Sequence, residues 1–119
     1  MVCICEDLEF YSNPKRSKSD KSEAIYLARN REKGLLLQYL PPHSHTSIHY
    51  HKIRTEIYHI IEGTCILNID GNDILLSQGK YEVKPNMVHQ VKTNQNPALT
   101  LIKIIGDPKG ISLDDHFYL

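Results

Sequence analysis

From Ala24 onward, short apolar runs alternate with turn residues along the chain. The runs are rich in Ile, Leu, Val and Tyr, and Gly, Pro, Asn or Asp separates them at intervals of about eight to twelve residues. No full window has a convincing helical period. The pattern predicts an all-β domain, a sandwich or a barrel, with almost no helix.

Residue types that favour turns lie between these runs at three places. Pro41-Pro42 ends the run LLLQYL, because proline cannot donate to a sheet ladder. Asp70-Gly71 separates TCILNI from NDILLS and predicts a hairpin, since both turn residues tolerate positive φ. Asn86 can take the left-handed turn that glycine would otherwise supply.

The first 22 residues differ from the rest in composition. After a short apolar start they are polar and rich in Ser, Pro and Lys, and the basic run KRSKSDK (Lys15–Lys21) is interpreted as a solvated loop. We expect a partly irregular N-terminal arm over residues 1–22. Residues 23–119 are expected to form one barrel domain with a C-terminal tail.

Charge and cysteine usage limit the function classes. Fourteen basic and fourteen acidic residues give a formal net charge of zero, so nothing favours nucleic acid or an anionic membrane as a partner. No apolar stretch reaches membrane-spanning length, and we expect a cytosolic protein. Cys3, Cys5 and Cys65 have no zinc-finger spacing and are interpreted as reduced thiols, Cys65 as a core residue.

The stretch IHYHKIRTEIYHIIEG carries the candidate chemistry. His49 and His51 are two residues apart on a predicted strand, so both side chains face the same way. Glu56 has the opposite parity, so residues 52–55 must form a turn or bulge that brings the next strand alongside. Two histidines and a carboxylate are the donor set of open divalent metal sites.

Two further residues extend this constellation. His89, after the turn at Asn86, is the natural fourth ligand. Tyr58 shares the inward face with Glu56 and is either a catalytic proton donor of the pocket or a core aromatic residue. The alternative for the whole set is surface histidines on the wet face of an antiparallel sheet.

The other histidines are harder to place. His43 and His45 share the parity of His49, but His45 is about 13 Å upstream along an extended strand, so both are expected at the pocket rim or in solvent. His59 has the wrong parity and is expected on the outer sheet surface. His116 belongs to the tail, and the sequence assigns it no role.

Over roughly residues 35–105 the chain resembles the cupin family. The first cupin motif, His-x-His followed by Glu and Gly, matches His49, His51, Glu56 and Gly63, and the second matches Gly79, Pro85 and His89. Asn86 stands at the second motif's inner glycine, and the segment from Gly79 to His89 is one residue short of the commonest form.

The resemblance implies a jelly-roll barrel with an ion near its mouth. It is strongest to small single-domain cupins and to the cupin domain of bifunctional mannose-6-phosphate isomerases, and it implies paired barrels, hence a homodimer. The apolar tail Phe117–Leu119, which needs cover, agrees.

We therefore expect a small metalloprotein that holds one divalent ion (Zn, Fe, Mn or Ni) through three histidines and Glu56. It would act on a small polar molecule, with chemistry like that of a sugar-phosphate isomerase or a dioxygenase. The cations near the ligands in sequence are Lys52, Arg54 and Lys84, which are equally plausible as solvated turn residues. The alternative function is a non-catalytic module that binds or senses a ligand.

Overall fold

The computed structural model describes residues 8–19, 22–30, 32–107 and 115–118, and every regular element within them is a β-strand. This confirms the all-β expectation. The strands are β1 (Glu9–Ser19), β2 (Ser22–Arg29), β3 (Lys33–Leu40), β4 (His49–Tyr50), β5 (Thr55–Gly63), β6 (Cys65–Ile69), β7 (Asn72–Leu76), β8 (Lys80–Val83), β9 (His89–Lys92), β10 (Ala98–Ile105) and β11 (Phe117–Tyr118). No helix that could cross a membrane is found in this part of the chain.

The strands form two antiparallel sheets. Sheet A has the order β1-β2-β3-β10-β5-β8, and sheet B has the order β11-β4-β9-β6-β7. Strands distant in sequence, such as β3 and β10, pair along their whole length. From β3 onward the chain crosses repeatedly between the sheets, because β3, β5, β8 and β10 are in sheet A and the strands between them are in sheet B. This is the jelly-roll arrangement that the resemblance implied.

The core lies between the two sheets. In β10, Ala98, Ile102 and Ile104 are buried, whereas the alternate residues Leu99 and Leu101 are only half-buried on the outer face. Each buried Leu or Ile contributes about 1.5–3 kcal/mol of apolar burial. The buried cluster consists of Leu36, Leu40, Tyr58, Cys65, Leu67, Ile69, Leu76, Val83, Val91, Ala98, Ile102 and Ile104.

The turn predictions are confirmed by the backbone. Asp70 and Gly71 have φ values of 49° and 90° between the paired strands β6 and β7, as a tight hairpin requires. Asn86 has a φ of 69°, so it does occupy the left-handed region. Its backbone N–H donates to the carbonyl oxygen of His51 at 2.6 Å, which ties this turn to the end of β4.

The N-terminal segment contains a strand that the pattern did not predict. β1 pairs with β2 at the edge of sheet A, and it includes residues 15–19 of the basic run. The loop interpretation is therefore wrong for these residues, because backbone pairing with β2 does not need apolar side chains. The strand lies within the 1–22 segment that was expected to be partly irregular.

The structure tests the prediction of reduced thiols for one of the three cysteines. Cys65 is 1% exposed in the core, and burial raises the pKa of its thiol to about 11, so it remains a protonated thiol. Cys3 and Cys5 lie outside the described residues.

The C-terminal tail returns to the end of β4. The Asp115 carboxylate accepts backbone N–H bonds from Lys52 at 2.8 Å, Ile53 at 3.1 Å and Arg54 at 3.3 Å. Next to it, β11 pairs with β4, and Phe117 stacks on Tyr50 with ring centroids 5.4 Å apart. The tail is thus fastened beside the His-x-His segment.

Candidate metal centre

The two sheets bring the four predicted ligands close together. On sheet B, His49 of β4 is the direct cross-strand neighbour of His89 of β9, and both rings are buried. His51 follows β4 and is 2% exposed. Glu56 is on β5 in sheet A, where it pairs with residues of β8 and β10.

This placement corrects one sequence expectation. The loop 52–55 was expected to bring the next strand alongside the histidine strand, but β5 lies in the opposite sheet and does not pair with β4. Glu56 therefore faces the histidines across the barrel interior. The loop resets the parity of the chain as expected, but it does so by a crossover between sheets.

Each of the three histidines has its Nδ1 atom at a backbone carbonyl oxygen. A carbonyl oxygen can only accept, so Nδ1 carries the proton and Nε2 keeps its lone pair. Such outer hydrogen bonds fix the tautomer and orientation of metal-binding imidazoles. The pairs are His49 with Ser47 at 2.9 Å, His89 with Met87 at 2.9 Å, and His51 with Asp115.

The Nε2 atoms that remain lie close to the Glu56 carboxylate. His89 Nε2 is 3.2 Å from Glu56 Oε1, and His51 Nε2 is 3.4 Å from Glu56 Oε2. Two acceptor atoms at such distances repel each other unless a proton or a cation lies between them. The ligand atoms of these three residues all lie within 4.8 Å of one another, and the two Nε2–Oε separations are close to the roughly 3.3 Å between ligand atoms that lie about 2 Å from a tetrahedral ion. The residues present therefore fit a divalent ion.

Arg54 is a charged member of the site that the sequence left undecided. Its side chain is 8% exposed, and Nη2 donates to Glu56 Oε2 at 2.9 Å and lies 3.4 Å from His51 Nε2. Nη1 is 3.9 Å from the Asp107 carboxylate. Burial raises the pKa of Glu56 and the Arg54 guanidinium lowers it, and the net pKa lies well below its usual value.

Tyr58, the predicted catalytic donor, is buried behind Glu56. Its hydroxyl donates to Glu56 Oε1 at 3.1 Å, and the side chain is also part of the hydrophobic core. Burial, followed by the Glu56 charge and this hydrogen bond, raises the pKa of Tyr58 well above its usual value. Tyr58 is thus a core aromatic residue whose hydroxyl remains protonated beside Glu56, and its catalytic role stays a prediction.

His116 is a member of the site that sequence reasoning missed. Its ring stacks on His49 with centroids 4.1 Å apart and meets His51 edge-on at 5.0 Å. Burial, with the charges of His51 and Arg54, lowers the pKa of His116 to about 4. No periodicity signals this residue, because the tail reaches the site through Asp115, 64 positions after His51.

The His49 imidazole is neutral at physiological pH. Burial lowers its pKa to about 3, and the neighbouring His89 and His116 contribute in the same direction. Because the neutral form carries the lone pair that an ion needs, this environment suits a metal ligand.

The remaining predicted residues lie away from the centre. His59 is opposite Leu101 on the outer face of sheet A. Its pKa is lowered by burial, Lys80 and Lys103. His43 and His45 are exposed, as are Lys52 and Lys84. Lys52 instead places its ammonium 4.3 Å from the centre of the Phe117 ring.

Comparisons with known proteins agree with this architecture. The cupin domain family model matches residues 36–105. A comparison with curated protein sequences found no significant match. Eight solved structures similar to this chain are 10–21% identical to it, and at such identities the likeness speaks to the fold alone.

Three of these structures illustrate the range. Oxalate decarboxylase from Bacillus subtilis has a TM-score of 0.77 at 16% identity, over 94% of this chain and 31% of that one. DMSP lyase DddQ from Ruegeria pomeroyi has a TM-score of 0.67 at 18% identity, over 73% of this chain and 48% of that one. An RmlC-like cupin from Shewanella frigidimarina has a TM-score of 0.70 at 16% identity, over 85% of this chain and 91% of that one.

The chain thus spans about half of the Ruegeria lyase and about a third of the Bacillus decarboxylase, but most of the Shewanella protein. The family model covers more than half of this chain, and the two-sheet barrel matches the solved structures. The chain therefore belongs to the cupin family.

Proposed function

We propose that this protein is a small metalloprotein that binds one divalent transition-metal ion through His49, His51, Glu56 and His89. The observation that carries the proposal is the approach of two acceptor Nε2 atoms to the Glu56 carboxylate at 3.2 and 3.4 Å. Because Nδ1 carries the proton of each ring, the lone pair on Nε2 can coordinate an ion. Zn, Fe, Mn and Ni all suit three imidazoles and one carboxylate.

When bound, the ion supplies Lewis-acid polarisation of a carbonyl or hydroxyl group of the substrate. The protein side chains around it have separate tasks. Tyr58 orients the Glu56 carboxylate through its 3.1 Å hydrogen bond and holds its own proton at the site. Arg54 balances the charge of Glu56 and Asp107 inside the barrel.

The substrate class we propose is a small polar molecule that bears a carboxylate or hydroxyl groups. Of the three cations near the ligands in sequence, Arg54 is buried at the centre, while Lys52 and Lys84 are exposed. Since Arg54 is paired with Glu56 and lies near Asp107, these residues do not supply the clamp of several cations that a phosphosugar is expected to need, which favours a molecule held by the ion itself. Similar structures named as an oxalate decarboxylase and a DMSP lyase act on small polar molecules, which supports this class.

Isomerase-like and dioxygenase-like chemistry are both compatible with such a centre. A non-catalytic binding or sensing module is the second candidate, and one observation favours it. The Tyr58 hydroxyl and the Arg54 guanidinium both already bond Glu56, so neither is committed to substrate. The likeness to mannose-6-phosphate isomerases and the cytosolic location stay predictions of the sequence.

The test begins with tag-free protein stripped with a chelator and reloaded separately with Zn²⁺, Fe²⁺, Mn²⁺ or Ni²⁺. Each form is screened by thermal shift against small carboxylates, polyols and sugar phosphates, and positive ligands are followed for oxygen uptake and product by NMR. An ion-dependent ligand shift with turnover supports an enzyme, and a shift without turnover supports a binding module. Absence of any stabilisation by the four ions overturns the proposal.

We also propose that the protein is a homodimer joined through the outer face of sheet A. Leu37 lies opposite Leu101, and Tyr39 lies opposite Leu99, so apolar side chains form a continuous patch across β3 and β10. Tyr39 is 43% exposed there. Light scattering should give twice the monomer mass for wild type and the monomer mass for Leu101→Asp. A wild-type monomer at micromolar concentration would refute this arrangement.

The domain boundary proposed from the sequence is also testable. If residues 1–22 are an arm and residues 23–119 form the barrel, a chain that begins at residue 23 should fold and bind the ion. Loss of the β spectrum in this truncated protein would show that β1 is an integral part of sheet A.

A further inference from the structure

His116 stands out as a metal-binding side chain that the four-ligand centre does not use. It forms a second candidate group with His49 and His51, whose ligand nitrogens lie within 4.8 Å of those of His116. The Nε2 atom of His116 is buried and has no hydrogen-bond partner. A buried imidazole nitrogen without a partner costs free energy, which an ion at this position would recover.

The two candidate groups describe one ion. Both groups contain His51, and the Nδ1 atom of His51 donates to the Asp115 carbonyl oxygen. A single remaining lone pair, on Nε2, can bind a single ion. An ion bound to His51 Nε2 therefore lies within reach of Glu56 and His89 in one group and of His116 in the other.

The tail holds His116 at this place by contacts of its own. The preceding residue, Asp115, caps three consecutive backbone N–H groups of the loop between β4 and β5. The following strand, β11, pairs with β4. The main chain on both sides of His116 is thus fixed next to the centre, which lowers the entropic cost of adding its ring as a ligand.

We propose that His116 is a fifth protein ligand of the divalent ion, added from the C-terminal tail to His49, His51, Glu56 and His89. This inference rests on the proposed function. The rings of His116 and His49 are now 17° from parallel, so His116 must rotate out of the stack to point Nε2 at the ion. With five protein donors, an octahedral ion keeps one position for an exogenous molecule rather than two.

The experiment uses Co²⁺ as the probe, because its visible absorption reports coordination number. Full-length protein is stripped and titrated with Co²⁺ against a competing chelator, and azide is then added to the loaded protein. The variants are His116→Ala, His116→Gln, which keeps size and polarity, His51→Ala and Tyr118→Ala. The Tyr118 ring lies 4.7 Å from that of His116 at an angle of 40° and is 66% exposed, so its variant removes a ring contact of His116 without removing a ligand.

Loss of a mere hydrogen-bond partner of a ligand costs about 10- to 100-fold in metal affinity, so both His116 variants should bind Co²⁺ at least about tenfold more weakly than wild type. Their Co²⁺ spectra should change, and azide should bind more tightly at the vacated position. Tyr118→Ala should remain near wild type.

Two results would overturn the role of His116 as a ligand and leave the proposed metal site intact. One is a His116 variant with wild-type Co²⁺ affinity and spectrum while His51→Ala binds no Co²⁺. The other is a Tyr118→Ala variant that loses as much affinity as His116→Ala, which would make His116 a docking residue of the tail. Wild-type protein that binds no Co²⁺, or His51→Ala protein that binds it normally, overturns the proposed metal site as well.

Discussion

The Arg54 guanidinium lies against two of the atoms that would bind the proposed ion, so its removal should destabilise the metal-free protein more than the metal-bound protein. Nη2 lies 2.9 Å from Glu56 Oε2 and 3.4 Å from His51 Nε2, so the guanidinium faces two of the atoms that would bind the ion. Replacing Arg54 by Met keeps an unbranched apolar stem and removes the charge. The variant therefore separates the role of the cation from the role of packing.

The expected magnitudes follow from burial and charge. Glu56 is 4% exposed and Asp107 is fully buried, and loss of one partner of such a buried pair costs about 3–5 kcal/mol. Without an ion, Arg54→Met should lose about this much free energy of unfolding. A divalent charge about 4 Å from a guanidinium is repelled by roughly 8 kcal/mol at an effective dielectric constant of 20, so the ion should bind the variant more tightly. Ion binding should then restore about 2–4 kcal/mol more stability in the variant than in wild type.

The assay is urea unfolding followed by circular dichroism at pH 7.5, with EDTA and with saturating Zn²⁺. Lys84→Met is the matched control, because it removes one positive charge from an exposed position. It should change stability by less than about 0.5 kcal/mol in both conditions. Equal destabilisation of Arg54→Met with and without Zn²⁺, at unchanged Zn²⁺ affinity, would refute the idea that the guanidinium and the ion compete for Glu56.

Three further outcomes are expected. Because the folded-state pKa of His49 is about 3, the unfolded chain takes up a proton first as pH falls below about 6.5. His49 alone should therefore make metal-free protein about 2 kcal/mol less stable at pH 5 than at pH 7, and His116, with a pKa of about 4, acts in the same direction; flat stability in urea titrations would contradict this. Tyr58→Phe should cost about 1.5–3 kcal/mol, since the hydroxyl donates to a carboxylate, yet leave ion stoichiometry intact by elemental analysis. Gly63→Ala should destabilise more than Gly71→Ala in thermal melts, because an added Cβ would lie 2.2 Å from a backbone oxygen at Gly63 and in open space at Gly71; equal melting temperatures would show that the Gly63 contact relaxes.

The local features of the fold could be predicted from the sequence because they depend on residues that are neighbours in the chain. The Asp70-Gly71 hairpin and the left-handed Asn86 follow from the φ preferences of those residue types. The inward orientation of Tyr58 and the outward orientation of His59 follow from strand parity. These features needed no knowledge of which strands pair.

The features that depend on contacts between residues far apart in the chain could not be predicted. β5 was expected beside the histidine strand and lies in the opposite sheet, because short runs of apolar residues do not say which partner they pair with. Burial of Arg54 depends on Asp107, which is 53 positions away in the chain. His116 reaches the centre through the tail, and nothing in a lone histidine near a chain end signals such a contact.

The central claim is that His51, Glu56 and His89 face one interior point and hold one ion. Elemental analysis of tag-free wild type, His51→Ala, His89→Ala and His59→Ala tests it most directly, since all four proteins carry the same surface except at the substituted residue. The account predicts about one divalent ion per chain in wild type and His59→Ala, and strongly reduced content in His51→Ala and His89→Ala. A His59→Ala protein without metal beside a fully loaded His89→Ala protein would contradict it.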